Sequence, residues 1–206
     1  MRFHRLLFLI FCPIVPGLLT ATGCSKPILK MPKALPPIVK QYKHIMLTPA
    51  PGMRNTGIYL NKGDLYSVLA TGSIDMGPRG PGYRVVRPEH SWPLMARIGK
   101  EAGYFQPLFY ANAATINASY SGYLYLGIRE GRVDEYGRSL TPGYYDDDTG
   151  YFKVDVVVWK EEDFVEIADF LEEMKEKDPE NPAIIYALKE ANYKREKEKR
   201  GTSLNK

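Results

Sequence analysis

The side chains able to do chemistry are few, and most are acids. Asp146-Asp147-Asp148 stand just ahead of an apolar run, and Glu89 and Glu130 lie in polar segments upstream. Carboxylates in such settings do acid–base work, hold hard cations, or simply solvate a turn. A glycosidase-type pair of Glu89 and Glu130 needs a defined separation, which a sequence does not state. The histidines are His4, His44 and His90. They are far apart, and no H-E-x-x-H is present, so a histidine-rich metal site is excluded. Both cysteines, Cys12 and Cys24, fall within the first 24 residues. The rest of the chain therefore has no disulfide, no cysteine metal site and no thiol nucleophile. No G-x-S-x-G elbow, P-loop or dinucleotide fingerprint occurs. The stretch Met76-Gly77-Pro78-Arg79-Gly80-Pro81-Gly82 is rich in glycine, but its prolines lack the amide donors of a phosphate cradle. These residues predict a protein that binds and does not catalyse.

What it would bind is addressed by two residue classes. Arg79, Arg84 and Arg87 make one long loop basic. That charge serves solubility or contact with an anionic glycan or lipopolysaccharide. Tyr83, Trp92, Tyr104, Phe105, Tyr110, Tyr120 and Tyr136 fall in or near loops. Aromatic faces stack on sugar rings and also make protein contacts. The whole chain, 206 residues with 25% charged and 44% hydrophobic residues, has ordinary globular composition. A disordered chain, a collagen-like chain and a polytopic membrane protein are thereby excluded. A net charge of +4 is too mild to announce a nucleic-acid partner. Tyrosine is unusually frequent, 15 against 8 phenylalanines, which favours strands with wet aromatic surfaces.

The elements that must position these residues follow in order. Arg2 and Arg5 precede an apolar run over residues 6–19 that Pro13 and Pro16 interrupt. A spanning helix needs about 20 apolar residues, so residues 1–23 read as a signal peptide. The small residues Ala21-Thr22-Gly23 before Cys24 resemble the lipobox of bacterial lipoproteins, although Ala21 stands where leucine is usual. The resemblance implies lipidation of Cys24 and a membrane partner through the lipid anchor. Ser25 after it, where Asp often marks inner-membrane retention, leans towards the outer membrane. An ordinary secretory signal with an incidental cysteine is the alternative. Residues 24–43 carry Pro27, Pro32, Pro36, Pro37 and five lysines, and read as an extended tether.

Residues 44–159 take up strand periodicity, with short apolar runs at 45–47, 57–60, 65–70, 94–98, 108–110, 122–128 and 152–159. Turn residues separate them, as in Asn61-Lys62-Gly63-Asp64. The pattern predicts a mainly β chain, a β-sandwich, with a C-terminal α-helical hairpin. The hairpin occupies residues 160–206. Phe164, Ile167, Ala168, Leu171 and Met174 keep helical spacing, Asp178-Pro179-Glu180 breaks it, and Asn181 is placed to cap a second helix from Pro182. Ile184, Ile185, Leu188 and Ala191 form its apolar stripe, expected to pack on the sandwich.

Residues 55–78, NTGIYLNKGDLYSVLATGSIDMGP, resemble the opening of the PA-IL-like galactophilic lectins of bacteria, with their N-x-G-D turn, A-x-G strand end and residue before G-P. Leu94 to Gly99, Tyr123 to Ile128, and the run from Asp147 to Val154 resemble later parts of that family in the same order. The resemblance implies a galactose-binding-like jelly roll, hence a jelly-roll-like β-sandwich, and a calcium ion held by the Met76 carbonyl, Glu130, a carbonyl at Tyr144 or Tyr145, and the pair Asp147 and Asp148. Calcium takes six to eight hard oxygens, which such a set supplies. It further implies sugar contacts near Glu89, His90 and Trp92, although the family's sugar-contacting histidine lies in a longer insertion than this chain has. The expected function is a surface-tethered lipoprotein that binds carbohydrate with calcium. The alternative is a non-catalytic structural or interaction subunit of a cell-envelope or secretion complex, with an envelope protein as partner and no sugar.

Overall fold

The computed structural model describes residues 26–79, 84–90 and 92–203. The expected signal peptide, Cys24 and Tyr83 lie outside these. Eight strands and two helices occur among the described residues: β1 (Val39–Leu47), β2 (Arg54–Leu60), β3 (Leu65–Asp75), β4 (Val85–Val86), β5 (Leu94–Ile98), β6 (Ala113–Asn117), β7 (Gly122–Ile128), β8 (Thr149–Trp159), α1 (Phe164–Lys177) and α2 (Pro182–Ser203). Every strand pairing is antiparallel. One sheet runs β1-β8-β3, with β6 beside the first half of β3 and β4 beside its last residues. The other sheet is β2-β7-β5. The chain is thus a two-sheet β-sandwich with a helix pair appended, as its strand spacing predicts.

Between the sheets, alternate side chains of each strand form one core: Tyr66, Val68 and Ala70 from β3, Phe152, Val154, Val156 and Val158 from β8, and Leu124, Leu126 and Ile128 from β7. The outer face of the first sheet is apolar as well. Leu65, Leu69, Val157 and Trp159 point away from the first core and form a second one with α1 and α2. Double-sided burial explains why β8 ends in the unbroken run Val156-Val157-Val158-Trp159 and not in alternation. Trp159 donates its indole N–H to Ser67 at 2.8 Å and meets Phe170 edge-on. Asp163 caps α1 by accepting from the Val165 and Glu166 amides, and Asn181 accepts from Ala183 at the start of α2. Ile184, Leu188 and Ala191 are buried as expected, whereas Ile185 faces solvent.

Two expectations fail in instructive places. Residues 108–110 are not a strand. Leu108 is buried, Phe109 and Tyr110 are exposed, and Tyr110 has φ +52°, which no strand tolerates. The strand is the less apolar Ala113–Asn117. The segment expected as a tether to residue 43 is largely folded. Ile28 and Leu29 are buried in the second core, and Val39 opens β1. The cause is Asp155, an acid on the outer face of β8 that is 0% exposed. It accepts from the Leu29 amide at 2.7 Å, the Tyr42 hydroxyl at 2.8 Å and His44 Nδ1 at 2.6 Å. A buried carboxylate needs such donors, and the segment up to residue 43 supplies two of them, the Leu29 amide and the Tyr42 hydroxyl. Among the described residues no helix is long and apolar enough to cross a membrane.

Candidate functional site

The register of the first sheet assembles one pole of the sandwich. Asp75, the last residue of β3, lies opposite Thr149, the first of β8. Met76 and Asp148 therefore leave the sheet at the same end. On the second sheet, Ile128 at the end of β7 lies opposite Leu94, and Glu130 follows two residues on. The long connection from Glu130 to β8 is internally tied. Asp134 accepts from the Tyr136 and Arg138 amides, and Val133 bridges Ser139. Tyr145 holds the connection to the strand: its hydroxyl donates to the Ile128 carbonyl at 2.9 Å and accepts from the Glu130 amide at 3.1 Å.

At this pole the six carboxylate oxygens of Glu130, Asp147 and Asp148 are all buried, and as ionised groups they have no hydrogen-bond donor among the described residues. Glu130 is 0% exposed. Burial, then Asp148 and Asp147, push the Glu130 carboxyl up to about 8, so that when protonated it donates to Asp148. Burial also raises Asp148, with Asp147 and Asp75 adding to the effect and the Glu130 proton opposing it. Asp147 lies against the backbone of the Gly77-Pro78 turn. A Cβ on Gly77, which has φ +61°, would stand 2.2 Å from Asp147 Oδ2. Only glycine allows that approach. Asp75 completes the turn by accepting from the Gly77 amide at 3.0 Å and from Arg84 Nε at 3.2 Å. Tyr144 packs its ring on Gly131, where a Cβ would stand 2.4 Å from Tyr144 Cδ2.

The expected ligand set is thus partly gathered. Met76, Glu130, Tyr144, Asp147 and Asp148 belong to one pole, with Met76 bonded through its amide to the Arg84 carbonyl. Among the described residues, no group of three or more His, Cys, Asp or Glu side chains is placed to hold a metal ion by itself. The three acids are neighbours, and further oxygens would come from the backbone. Of the other expected contacts, Glu89 is held elsewhere. Val86 of β4 lies opposite Ile74, and the chain then runs back beside β3. There Asn112 Nδ2 donates both to the Ala70 carbonyl, at 3.2 Å, and to Glu89 Oε2, at 3.0 Å. Ala70 is about 20 Å down the strand from Met76 at the usual rise. His90 closes a turn with Arg87, and Trp92 packs half-buried on the core. The structure ties Glu89 down near Ala70, away from the carboxylates, whereas Trp92 precedes Pro93, whose carbonyl accepts from the Arg129 amide at 2.7 Å, next to Glu130. Sequence reasoning missed Tyr145 as a clasp and Asp75 as a turn former. The short acidic and aromatic run beside them, Tyr144-Tyr145-Asp146, was the available signal.

No known protein family matches the chain, and no curated protein sequence matches it. Several solved structures are similar in outline. One described as the EclA N-terminal domain, a PllA-like lectin, is 22% identical, with 58% of this chain and 97% of that domain covered and a TM-score of 0.42. A functionally unknown conserved protein mutant from Bacillus anthracis str. Ames is 15% identical over 65% of this chain and 26% of its own, with a TM-score of 0.32. IMPa from Pseudomonas aeruginosa, in complex with an O-glycopeptide, is 14% identical over 73% of this chain and 16% of its own, with a TM-score of 0.30. At such TM-scores none of these likenesses carries an argument about function. The class of protein rests on the chain's own sheets: a jelly-roll-like β-sandwich that gathers orphaned carboxylates at one pole.

Proposed function

We propose that this is a non-catalytic binding protein that holds calcium at the carboxylate pole and meets carbohydrate there. One observation carries the reading: six buried oxygens of Glu130, Asp147 and Asp148 have no donor among the described residues, beside a glycine turn that only a missing side chain permits. Three like charges in one desolvated site repel each other unless protonated or offset by a cation. Oxygen donors of this kind suit calcium, and backbone carbonyls near Met76 and Tyr144 would complete the set. When bound, calcium offers open coordination positions to sugar hydroxyls. Around it, Tyr145 fixes Glu130, Asp75 shapes the turn, and Arg79, whose Nη1 donates to the Gly143 carbonyl at 3.2 Å, borders the pole. The sugar half of the reading rests on the sequence resemblance to the galactophilic lectins.

The test is thermal unfolding in calcium and in chelator. A ligand that binds only the folded state adds about 2.7 kcal/mol at a hundredfold excess over Kd. Calcium should raise the melting temperature, and Asp147→Ala with Asp148→Ala should abolish the difference. Identical transitions in calcium and chelator would refute the site. A glycan array with and without chelator then tests the sugar. The second reading, an interaction subunit of an envelope complex without sugar binding, is favoured by the placement of Glu89 away from the pole. Calcium stabilisation with an empty array supports it.

We also propose a lipid anchor on Cys24 and residence at the outer membrane. Acyl chains give membrane affinity without a spanning helix. Cys24→Ser should move the protein from the membrane to the soluble fraction, and unchanged attachment would sink the proposal.

A further inference from the structure

We propose that the cavity between the two sheets, at the pole opposite the carboxylates, is a second ligand site for an uncharged, mainly apolar ring compound carrying an oxygen that accepts a hydrogen bond. The cavity measures about 460 Å³, within the range that small-molecule sites occupy. Its position follows from register. Tyr66 lies opposite Val158 and Ile98 opposite Leu124, at the other ends of the strands that finish at Asp75 and start at Leu94. Tyr66 and Met76 are about 30 Å apart along β3 at the usual rise, so the two sites share no residue.

The lining defines the ligand. Tyr104, Phe105 and Tyr120 supply aromatic side chains, Ile98 and Ile116 add aliphatic wall, and none of the described lining residues is charged. A charged guest would be desolvated there without a partner, which is costly. A flat apolar ring gains both burial and stacking.

The hydrogen-bonding requirement comes from Tyr66. Its side chain projects into the inter-sheet core, forms the inner wall of the cavity, and is 0% exposed. Its hydroxyl has no hydrogen-bond partner among the described residues. The next residue on the strand, Ser67, is fully engaged by Thr115 and Trp159, so orphaned hydroxyls are not the habit of this strand. An unpaired buried hydroxyl costs stability, and an acceptor oxygen on a guest removes that cost. Burial raises the Tyr66 phenol above its ordinary range, which keeps it a donor.

The probe is 2-naphthol, titrated calorimetrically into the full chain with and without chelator, beside naphthalene-2-sulfonate as the charged analogue. One saturable 2-naphthol per chain is expected, indifferent to chelator, with the sulfonate much weaker. Tyr66→Phe, which removes only the hydroxyl, should bind about tenfold more weakly while melting no lower than the parent. Ser119→Trp, at the exposed rim, should block entry and abolish binding in a folded protein. Absence of saturable binding, equal binding by the parent and both variants, equal binding of the sulfonate, or loss of binding in chelator would each overturn the proposal. The chelator arm separates this site from the calcium reading, which stands or falls on its own melt.

Discussion

Glu130 shows at single-residue scale how a site can be built against stability. Its carboxyl is held at about 8 in the fold, against an ordinary value of 4.5. Between those values the folded chain keeps a proton that the unfolded chain has lost. The stability linked to that proton is complete below about pH 4.5 and disappears as pH rises through about 8. In chelator, therefore, the protein should melt higher at about pH 5 than at about pH 8.5. Glu130→Gln should flatten that dependence and raise the melting temperature at the alkaline end. Calcium should act with the opposite slope, because it binds the ionised carboxylates. Calorimetric scans across this window check both signs. A metal-free protein whose melting temperature is highest near pH 8.5 would contradict the electrostatic account.

Among the elements, α2 does more than cover apolar surface. Strand β6 pairs with β3 on one side, and its other edge faces α2. There Glu190 Oε2 accepts from the Thr115 amide at 2.9 Å, and Lys194 Nζ donates to the Thr115 carbonyl at 2.9 Å. Two side chains one helical turn apart thus stand in for the backbone of a neighbouring strand. An open edge is a template for pairing with another chain. Glu190→Ala with Lys194→Ala should cost about 1–3 kcal/mol and promote concentration-dependent self-association. Denaturant titration and light scattering measure the two effects. A monomeric double variant of parental stability would show that the helix pairing is incidental.

The whole molecule is organised by a sheet that is buried on both faces. The inter-sheet core and the core under the helices meet through β3 and β8, and Ile28 and Leu29 complete the second one. Removing residues 160–206 would expose Leu65, Leu69, Val157 and Trp159 together. Each such side chain contributes about 1.5–3 kcal/mol when buried, against a typical total of about 5–15 kcal/mol for a domain. The truncated chain should lose cooperative unfolding or fail to stay soluble. A truncated sandwich that melts at the parental temperature would make the helix pair a separate module. The full chain should unfold in one calorimetric transition, since neither core is complete without the shared sheet.

The sequence by itself determined the element types and the chemistry on offer. Period-two runs with glycine and aspartate turns specify strands, the spacing of Phe164, Ile167, Leu171 and Met174 specifies a helix, and Asn181-Pro182 starts the next. It also determined that the useful groups are oxygen acids and not thiols or clustered histidines, because residue type is local information. Tertiary structure decided which of those acids act together. Glu130 meets Asp148 because β3, β8 and β7 end at one pole in this register, and Glu89 is excluded because the same register carries its loop to Ala70. It decided as well that Asp155 would draw Leu29 onto the sheet, and that Tyr66 would line a cavity with its hydroxyl unpaired. Desolvation and pairing depend on what the fold places within a few ångströms of a group, and those neighbours are distant along the chain.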